Sequence, residues 1–296
     1  MIGIIGGGQV GQHLAEAASK MGVKYDLIGR QTKRDLTRFA NENVNFDVSS
    51  CKASDLKELA ERYDAIIYTS SLRDVMQCEK DYALADKLNH LVPRILAQSR
   101  PLVYISTDYV FGKLDHSHPR PVTGKIGEGE DPESAHFSNG PKSVYGKTKR
   151  NGELATLTNY GFVVRIASPF GDWASSLRPS FVSNMRFQEG EITIPRDQIV
   201  SPTYLPEVAP AIVGLSLSSV GAGNVYHAVC EGEASYADIA RQIRRELNIS
   251  GKVIGRVSNE SDALRPTYSA LQNNRLQKFS HWAVALQNHF ERGRYK

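Results

Sequence analysis

The sequence predicts an α/β fold, a doubly wound parallel sheet covered by helices and carrying a smaller C-terminal subdomain. Three features predict it. Through the first two-thirds of the 296 residues, short apolar runs alternate with amphipathic stretches, the pattern of parallel strands joined by crossover helices. A glycine-rich turn follows the first apolar run and opens the first amphipathic stretch. After Ser168 the alternation gives way to a less regular succession, as expected of a subdomain laid over the carboxyl ends of the strands, where open α/β sheets bind their ligands.

Met1 to Ile5 reads as the first strand, Gln9 to Met21 as the first helix and Val23 to Ile28 as the second strand. Further strands are expected at Asn43 to Val48, Ala65 to Thr69, Leu102 to Ser106 and Gly161 to Ile166. Helices fill the intervals at Ser54 to Arg62, Glu79 to Gln98 and Ser143 to Thr158. Between Gly112 and Ser143 the pattern dissolves into Pro, Gly, Ser, His and charge, which predicts a long surface loop and a candidate lid. His116 and His118 lie in it, spaced as exposed side chains more than as metal ligands. Beyond Ser168, helices are expected at Phe181 to Glu189, Leu205 to Leu215, Ser235 to Leu247 and Leu276 to Phe290, with a strand at Val225 to Val229.

With 41% apolar residues the chain can bury a substantial core. Its net charge of +4 comes from scattered Lys and Arg with no basic run or interleaved aromatics, so a nucleic-acid partner is not expected. A mild basic excess suits a small anionic ligand or an ordinary solvated surface. The cysteines, Cys51, Cys78 and Cys230, are far apart and in no metal-type spacing, which argues against a disulfide framework or a zinc site. No apolar stretch is long enough to cross a bilayer, and the first residues carry no basic leader, so a cytoplasmic protein is expected.

Gly6, Gly8 and Gly11 in IIGGGQVGQHLAE form G-x-G-x-x-G between the first strand and the first helix. These glycines serve the tight turn, the close approach of backbone to a pyrophosphate and the contact of helix with sheet, with phosphate charge at the helix N-terminus. Strand, turn and helix together make a Rossmann-type dinucleotide site. The second strand runs into Ile28, Gly29 and Arg30, followed by Lys33 and Arg34, where a NAD-preferring site carries a carboxylate for the ribose hydroxyls. A guanidinium can fork onto a 2′-phosphate, so NADP(H) is favoured over NAD(H). Asp47 and Val48, closing the third strand, are placed for the adenine edge. The expected division is an NADP(H)-binding domain over 1–166, completed by segments near 200–229, and a mainly substrate-binding subdomain over 167–296.

VYGKTK places Tyr145 and Lys149 four apart on a helix, so both emerge on one face. A free phenol is too weak an acid to exchange protons efficiently at neutral pH, and a neighbouring ammonium brings its pKa toward the working range. Ser106 and Thr107 end the preceding strand, where a hydroxyl can hydrogen-bond the same carbonyl oxygen that Tyr145 protonates.

With these motifs in place the chain resembles the extended short-chain dehydrogenase/reductase family, in its dTDP-4-dehydrorhamnose reductase branch. The resemblance covers nearly the whole chain: GQVGQ from Gly8, STDYVF from Ser106, VYGKTKRNGE from Val144, DQIVSPT from Asp197, GNVYHAV from Gly223 and RPTYSAL from Arg265 follow in the branch's order. It implies that Thr107 polarises a substrate carbonyl, Tyr145 donates the proton, and Lys149 binds the nicotinamide ribose while tuning Tyr145. The motifs and the resemblance together give a cofactor set of Gly6, Gly8, Gln9, Val10, Gly11, Arg30, Asp47, Val48, Thr69, Ser70 and Lys149, and Arg265, in RPTYSAL, suits the substrate diphosphate. Asn89 stands in the helix where relatives carry an asparagine. The implied activity is NADPH-dependent reduction of a keto group, at C4, on a nucleoside-diphosphate deoxysugar; homodimerisation is left open.

The sequence departs from the branch at Tyr68, Thr69, Ser70 and Ser71, where the branch has Asn-Ala-Ala, and at Val75 to Glu79, where it has Val-Asp-Lys-Ala-Glu. The loop between Thr107 and Tyr145 is also longer, so the resemblance leaves the sugar open. Two other readings share the fold. One is a nucleotide-sugar epimerase or dehydratase, although Asp108 is followed by Tyr109 and not by a second acid. The other is a non-catalytic NADP-binding regulatory subunit like the methionine adenosyltransferase beta subunit, which the complete Thr-Tyr-Lys set argues against.

Overall fold

The computed structural model describes residues 1–30, 42–112, 125–134, 137, 140–171, 180–259 and 264–292. In chain order the first part runs β1 (Ile2–Ile5), α1 (Gln9–Lys20), β2 (Tyr25–Gly29), β3 (Glu42–Asn45), α2 (Ala53–Glu61), β4 (Ala65–Tyr68), α3 (Val75–Lys80), α4 (Tyr82–Asp86), α5 (Val92–Ser99), β5 (Leu102–Thr107), α6 (Val144–Thr158) and β6 (Phe162–Ile166). There follow β7 (Pro169–Phe170), α7 (Phe181–Met185), β8 (Ile192–Pro195), β9 (Ile199–Val200), β10 (Thr203–Tyr204), α8 (Leu205–Ser216), β11 (Val225–His227), β12 (Ala234–Ser235), α9 (Tyr236–Leu247), β13 (Val253–Arg256), β14 (Tyr268–Ser269) and α10 (Trp282–Glu291).

The central sheet has seven strands in the order β11-β6-β5-β4-β1-β2-β3, a doubly wound arrangement. Strands β1, β2, β4 and β5 are buried along nearly their whole length, as strands covered on both faces must be. Parallel pairing sets Ile5 beside both Ile28 and Tyr68, and Tyr68 beside Tyr104. That register brings the residues just past the carboxyl ends of β1, β2 and β4, namely Gly6, Arg30 and Thr69, to one edge of the sheet.

The chain divides into two compact units: Met1–Val110 with Ser143–Arg165 and Ala209–Tyr226, and Phe111–Lys142 with Ile166–Val208 and His227–Lys296. The first unit's core gathers Ile5, Ile28, Ile66, Tyr68, Leu96, Leu102, Tyr104 and Val163. The second unit has its own core around Phe170, Val200, Tyr204, Ile239, Ile243 and Leu286, with small sheets ordered β12-β9-β14, β13-β8 and β10-β7.

The helix expected at Glu79 to Gln98 is broken into pieces. Asp74 and Asp81 each accept a backbone N–H three residues on, from Gln77 and Leu84 at 3.0 Å, and so start α3 and α4 afresh. A π-turn over Lys87–Leu91 then leads into α5. Pro93 has no N–H to give the Asn89 carbonyl. Two buried strand tyrosines take up carbonyls of this turn, Tyr104 donating to Asn89 at 2.6 Å and Tyr68 to Leu88 at 2.7 Å. The break therefore locks the π-turn onto the sheet.

In the second unit, α7 stops at Met185 and α10 begins only at Trp282, later than Leu276. The reason for the late start is Asn273, whose side chain accepts from Leu276 N at 2.9 Å and donates to Gln277 O at 2.8 Å, holding this stretch as a loop. Among the described residues no helix is long and apolar enough to cross a membrane. Lys33, Arg34, His116, His118 and much of the expected lid lie outside the described residues.

Candidate active site

The glycine turn is built and empty of side chains where a phosphate would need room. Gly6 has φ +121°, a left-handed conformation open to glycine. A methyl group on Gly11 would collide with the Gly6 carbonyl oxygen, whereas one on Gly8 would meet nothing within 4 Å. Gly8 caps α1 with no side-chain hydrogen bond, and the first turn of α1 carries no acid, so the positive end of the helix is left to a ligand. Gln12 Nε2 donates to Gly7 O at 3.0 Å and Thr69 Oγ1 donates to the carbonyls of Ile5 and Gly6, both at 3.1 Å. These contacts fit the turn to an anionic dinucleotide, and they give Thr69 the task of bracing it. Replacing Gly8 by Ala is therefore expected to leave folding intact and weaken NADPH binding. Gly11→Ala should also destabilise the fold by about 1–3 kcal/mol through overpacking. Thermal unfolding and a fluorescence titration of each variant check the pair.

At the end of β2, Arg30 Nε lies 3.9 Å from Asp47 Oδ1, with the Arg30 side chain 72% exposed. The strand expected to run to Val48 stops at Asn45, because Asp47 turns the chain by accepting the N–H and hydroxyl of Ser49 at 2.8 and 2.6 Å. The Ser49 hydroxyl is also the largest influence holding the Asp47 carboxyl below the usual range, with Arg30 adding to it. Val48 is a core residue, 8% exposed. Gln9 is buried, while Val10 and Ser70 are half-buried.

The second cluster lies at the carboxyl end of β5 and the start of α6. Ser143 caps α6 by accepting Gly146 N–H at 3.0 Å, and Glu79 Oε1 accepts Val144 N–H at 2.7 Å, which fixes the helix start just ahead of Tyr145. One turn further, Thr148 Oγ1 accepts from Asn89 Nδ2 at 3.0 Å. Asn89 is fully buried and also exchanges hydrogen bonds with the backbone of Leu72. It is thus a rivet between the π-turn, the loop after β4 and the helix.

Thr107 is buried, its hydroxyl donating to Asp108 at 3.1 Å and accepting Tyr109 N–H at 3.3 Å. Tyr145 is half-buried, and the Tyr109 ring meets it edge-on with centroids 5.5 Å apart. Burial lifts the Tyr145 phenol above its ordinary range, and the Thr107 hydroxyl beside it works the other way. A phenol brought down toward neutrality, expected from the sequence, is not what this structure holds, because the loss of hydration outweighs its partners. Lys149 is buried, its Nζ donating to Ile105 O at 2.5 Å and lying 4.0 Å over the Tyr104 ring. Burial pushes its amine down to about 7, against the opposing charge of Glu153. The structure thus brings Thr107, Tyr145 and Lys149 together in the first unit; Arg265 lies exposed in the second.

A family model described as the RmlD substrate binding domain matches residues 1–294. The chain belongs to this family. The dTDP-4-dehydrorhamnose reductase of Mycobacterium tuberculosis H37Rv is 29% identical over 296 residues, 95% of this chain and 88% of that protein. A probable dTDP-4,6-dihydroxy-2-methyloxan-3-one 4-ketoreductase of Streptomyces antibioticus is 29% identical over 282 residues, 88% of each chain. Among solved structures, the Bacillus anthracis dTDP-4-dehydrorhamnose reductase in complex with NADP superposes with a TM-score of 0.77 at 27% identity, covering 98% of each chain.

Tyr104 and Arg165 belong to none of the motifs read from the sequence, and Glu153 closes VYGKTKRNGE without a role having been read for it. The signal available is a lone arginine in the apolar run FVVRI and an acid four residues after Lys149.

Proposed function

We propose that this family member is an NADPH-dependent reductase of the C4 keto group of a dTDP-linked 6-deoxysugar, acting in deoxysugar biosynthesis. The observation that carries the reading is the Thr107, Tyr145 and Lys149 cluster in the same unit as the glycine turn, in a chain matched along nearly its whole length by relatives named dTDP-4-dehydrorhamnose reductase. The cofactor supplies hydride when bound. The turn at Gly6, Gly8, Gln9, Val10 and Gly11 holds its pyrophosphate, with Thr69 and Ser70 backing the turn. Arg30 takes the 2′-phosphate, and Asp47 with Val48 borders the adenine. Thr107 holds the substrate carbonyl oxygen, Tyr145 gives that oxygen its proton, and Lys149 anchors the ribose and supports the charge left on Tyr145. For the sugar's diphosphate the candidate is Arg265, since a guanidinium fork suits paired oxygens.

Arg30→Ala should narrow the preference for NADPH over NADH by weakening NADPH alone, by about one to two decades in Kd, the worth of a charge-assisted contact. Equal affinities in the unmodified protein would remove the assignment. The reaction itself is tested with a panel of nucleotide-linked keto sugars scored by NADPH oxidation. Oxidation with a dTDP-4-keto-6-deoxysugar supports the reading. Tight NADPH binding with no oxidation across the panel would move it to a non-catalytic NADP-binding subunit.

A further inference from the structure

Arg165 sits in β6, every residue of which is buried, and is itself 1% exposed. An apolar strand gains nothing from a guanidinium, and burying a charge is unfavourable unless it is paired. It is paired: Nε and Nη2 of Arg165 fork onto Oε1 and Oε2 of Glu153, both at 2.8 Å. Glu153 is wholly buried, and Arg150 Nη1 reaches its Oε2 at 3.2 Å. Burial, the largest single influence, would push the Glu153 carboxyl up, but Arg165, Ser106 and Arg150 together hold the group below its usual range, with Arg165 foremost among them. A buried ion pair is commonly no more stable than apolar side chains of the same volume, so stability does not explain why the charges are there.

Their place on the helix does. Glu153 follows Lys149 by four residues on α6, so the two side chains share a face about 5–6 Å apart at Cβ. The Ile105 carbonyl and the Tyr104 ring that hold the Lys149 amine are dipole and quadrupole, and bring no counter-charge. The amine lies over Tyr104 on β5, with Tyr68 on β4 stacked against that ring; on its own helix Tyr145 precedes it and Glu153 follows it by four residues, and Arg165 on β6 is bound to Glu153. Asp108, Cys78 and Arg73 act on the Tyr145 phenol, and Asp86 and His90, on the elements packed beside α6, are 2.9 Å apart and paired with each other. Glu153 is the carboxylate whose charge bears on Lys149.

We propose that the buried Glu153–Arg165 fork is a positioning element for the reaction, in which Arg165 holds the carboxylate ionised and aimed so that Lys149 stays more protonated in the interior than burial alone would leave it. The fork touches neither substrate nor cofactor; it acts through Lys149. The inference rests on the role given to Lys149 above, but the ionisation of that amine can be read without turnover.

The test is a ¹³C titration of the Lys149 Cε resonance in lysine-labelled protein without cofactor, assigned by its loss in Lys149→Met and repeated in Glu153→Gln and Glu153→Asp. The midpoint should fall by about one pH unit or more in Glu153→Gln, the usual effect of one close opposite charge, and be largely restored in Glu153→Asp. The alkaline limb of kcat/KM should move down with it, with rate recovered at lower pH, whereas a merely structural loss would lower the rate equally at every pH. An unmoved midpoint in folded Glu153→Gln overturns the proposal. A moved midpoint in a protein that reduces no keto sugar supports the fork and overturns the reductase reading instead. If Glu153→Gln does not fold, Arg150→Gln removes the less buried of the cations on Glu153. The midpoint should then rise, and a midpoint that stays or falls overturns the proposal.

Discussion

Tyr145→Phe should fold, bind NADPH with unchanged affinity and lose turnover on a keto sugar nucleotide by about two to four decades, the usual worth of a positioned acid. The substitution keeps the ring and therefore the edge contact with Tyr109 at 5.5 Å, and removes only the transferable proton. Lys149→Met separates the second role. It removes the amine that donates to Ile105 O, so both NADPH affinity and turnover should fall. Measuring Kd and kcat for both variants distinguishes a proton donor from a residue that also holds cofactor. Near-normal turnover in Tyr145→Phe would remove the mechanism.

The largest stability effect is expected at Arg165, where Arg165→Met should cost about 3–5 kcal/mol, because it leaves the Glu153 carboxyl buried without its fork. Unfolding temperature should drop on the order of 10 °C. The pH dependence has a definite sign. Without Arg165, burial carries the Glu153 pKa above its unfolded value, and a group raised in the folded state contributes stability at low pH that is lost as pH rises through the folded pKa. Arg165→Met should therefore be closer to the unmodified protein at pH 5 than at pH 8. Replacing Glu153 and Arg165 together by apolar residues of similar volume should recover most of the loss, since no lone charge is then buried. Thermal unfolding across pH for the single and double variants checks each point.

Elements with a strong local signature are legible in the amino-acid sequence. The largely apolar strands β1, β2, β4 and β5, the glycine turn and the Tyr145–Lys149 helix all carry residue types that few other local conformations would explain. What is not legible depends on side chains meeting across distance in sequence. The break after Glu79 turns on acids at Asp74 and Asp81 capping short helices, and on Pro93 freeing a carbonyl for Tyr104, none of which alters the apolar periodicity of the segment. Strands such as β7, β10, β12 and β14 are two residues each, too short for an alternation to register. At the site, Thr107, Tyr145 and Lys149 are readable as a set. The surroundings that lift the phenol and lower the amine are not, because burial is a property of the packed molecule. Val48 shows the same limit, since its burial in the core of the first unit is not written in the residues around it.

In the proposed reaction, hydride moves from NADPH to a sugar carbon while Tyr145 protonates the oxygen. The most direct test is to supply NADPH deuterated at the transferring position of the nicotinamide with a dTDP-4-keto-6-deoxysugar and to examine the product by mass spectrometry and NMR. One deuterium at C4 for each NADPH oxidised, with Tyr145→Phe delivering about a hundredth of that label or less over the same time, is the predicted result. A converted sugar carrying no deuterium, with NADPH unconsumed, would contradict it and mark an isomerisation in its place.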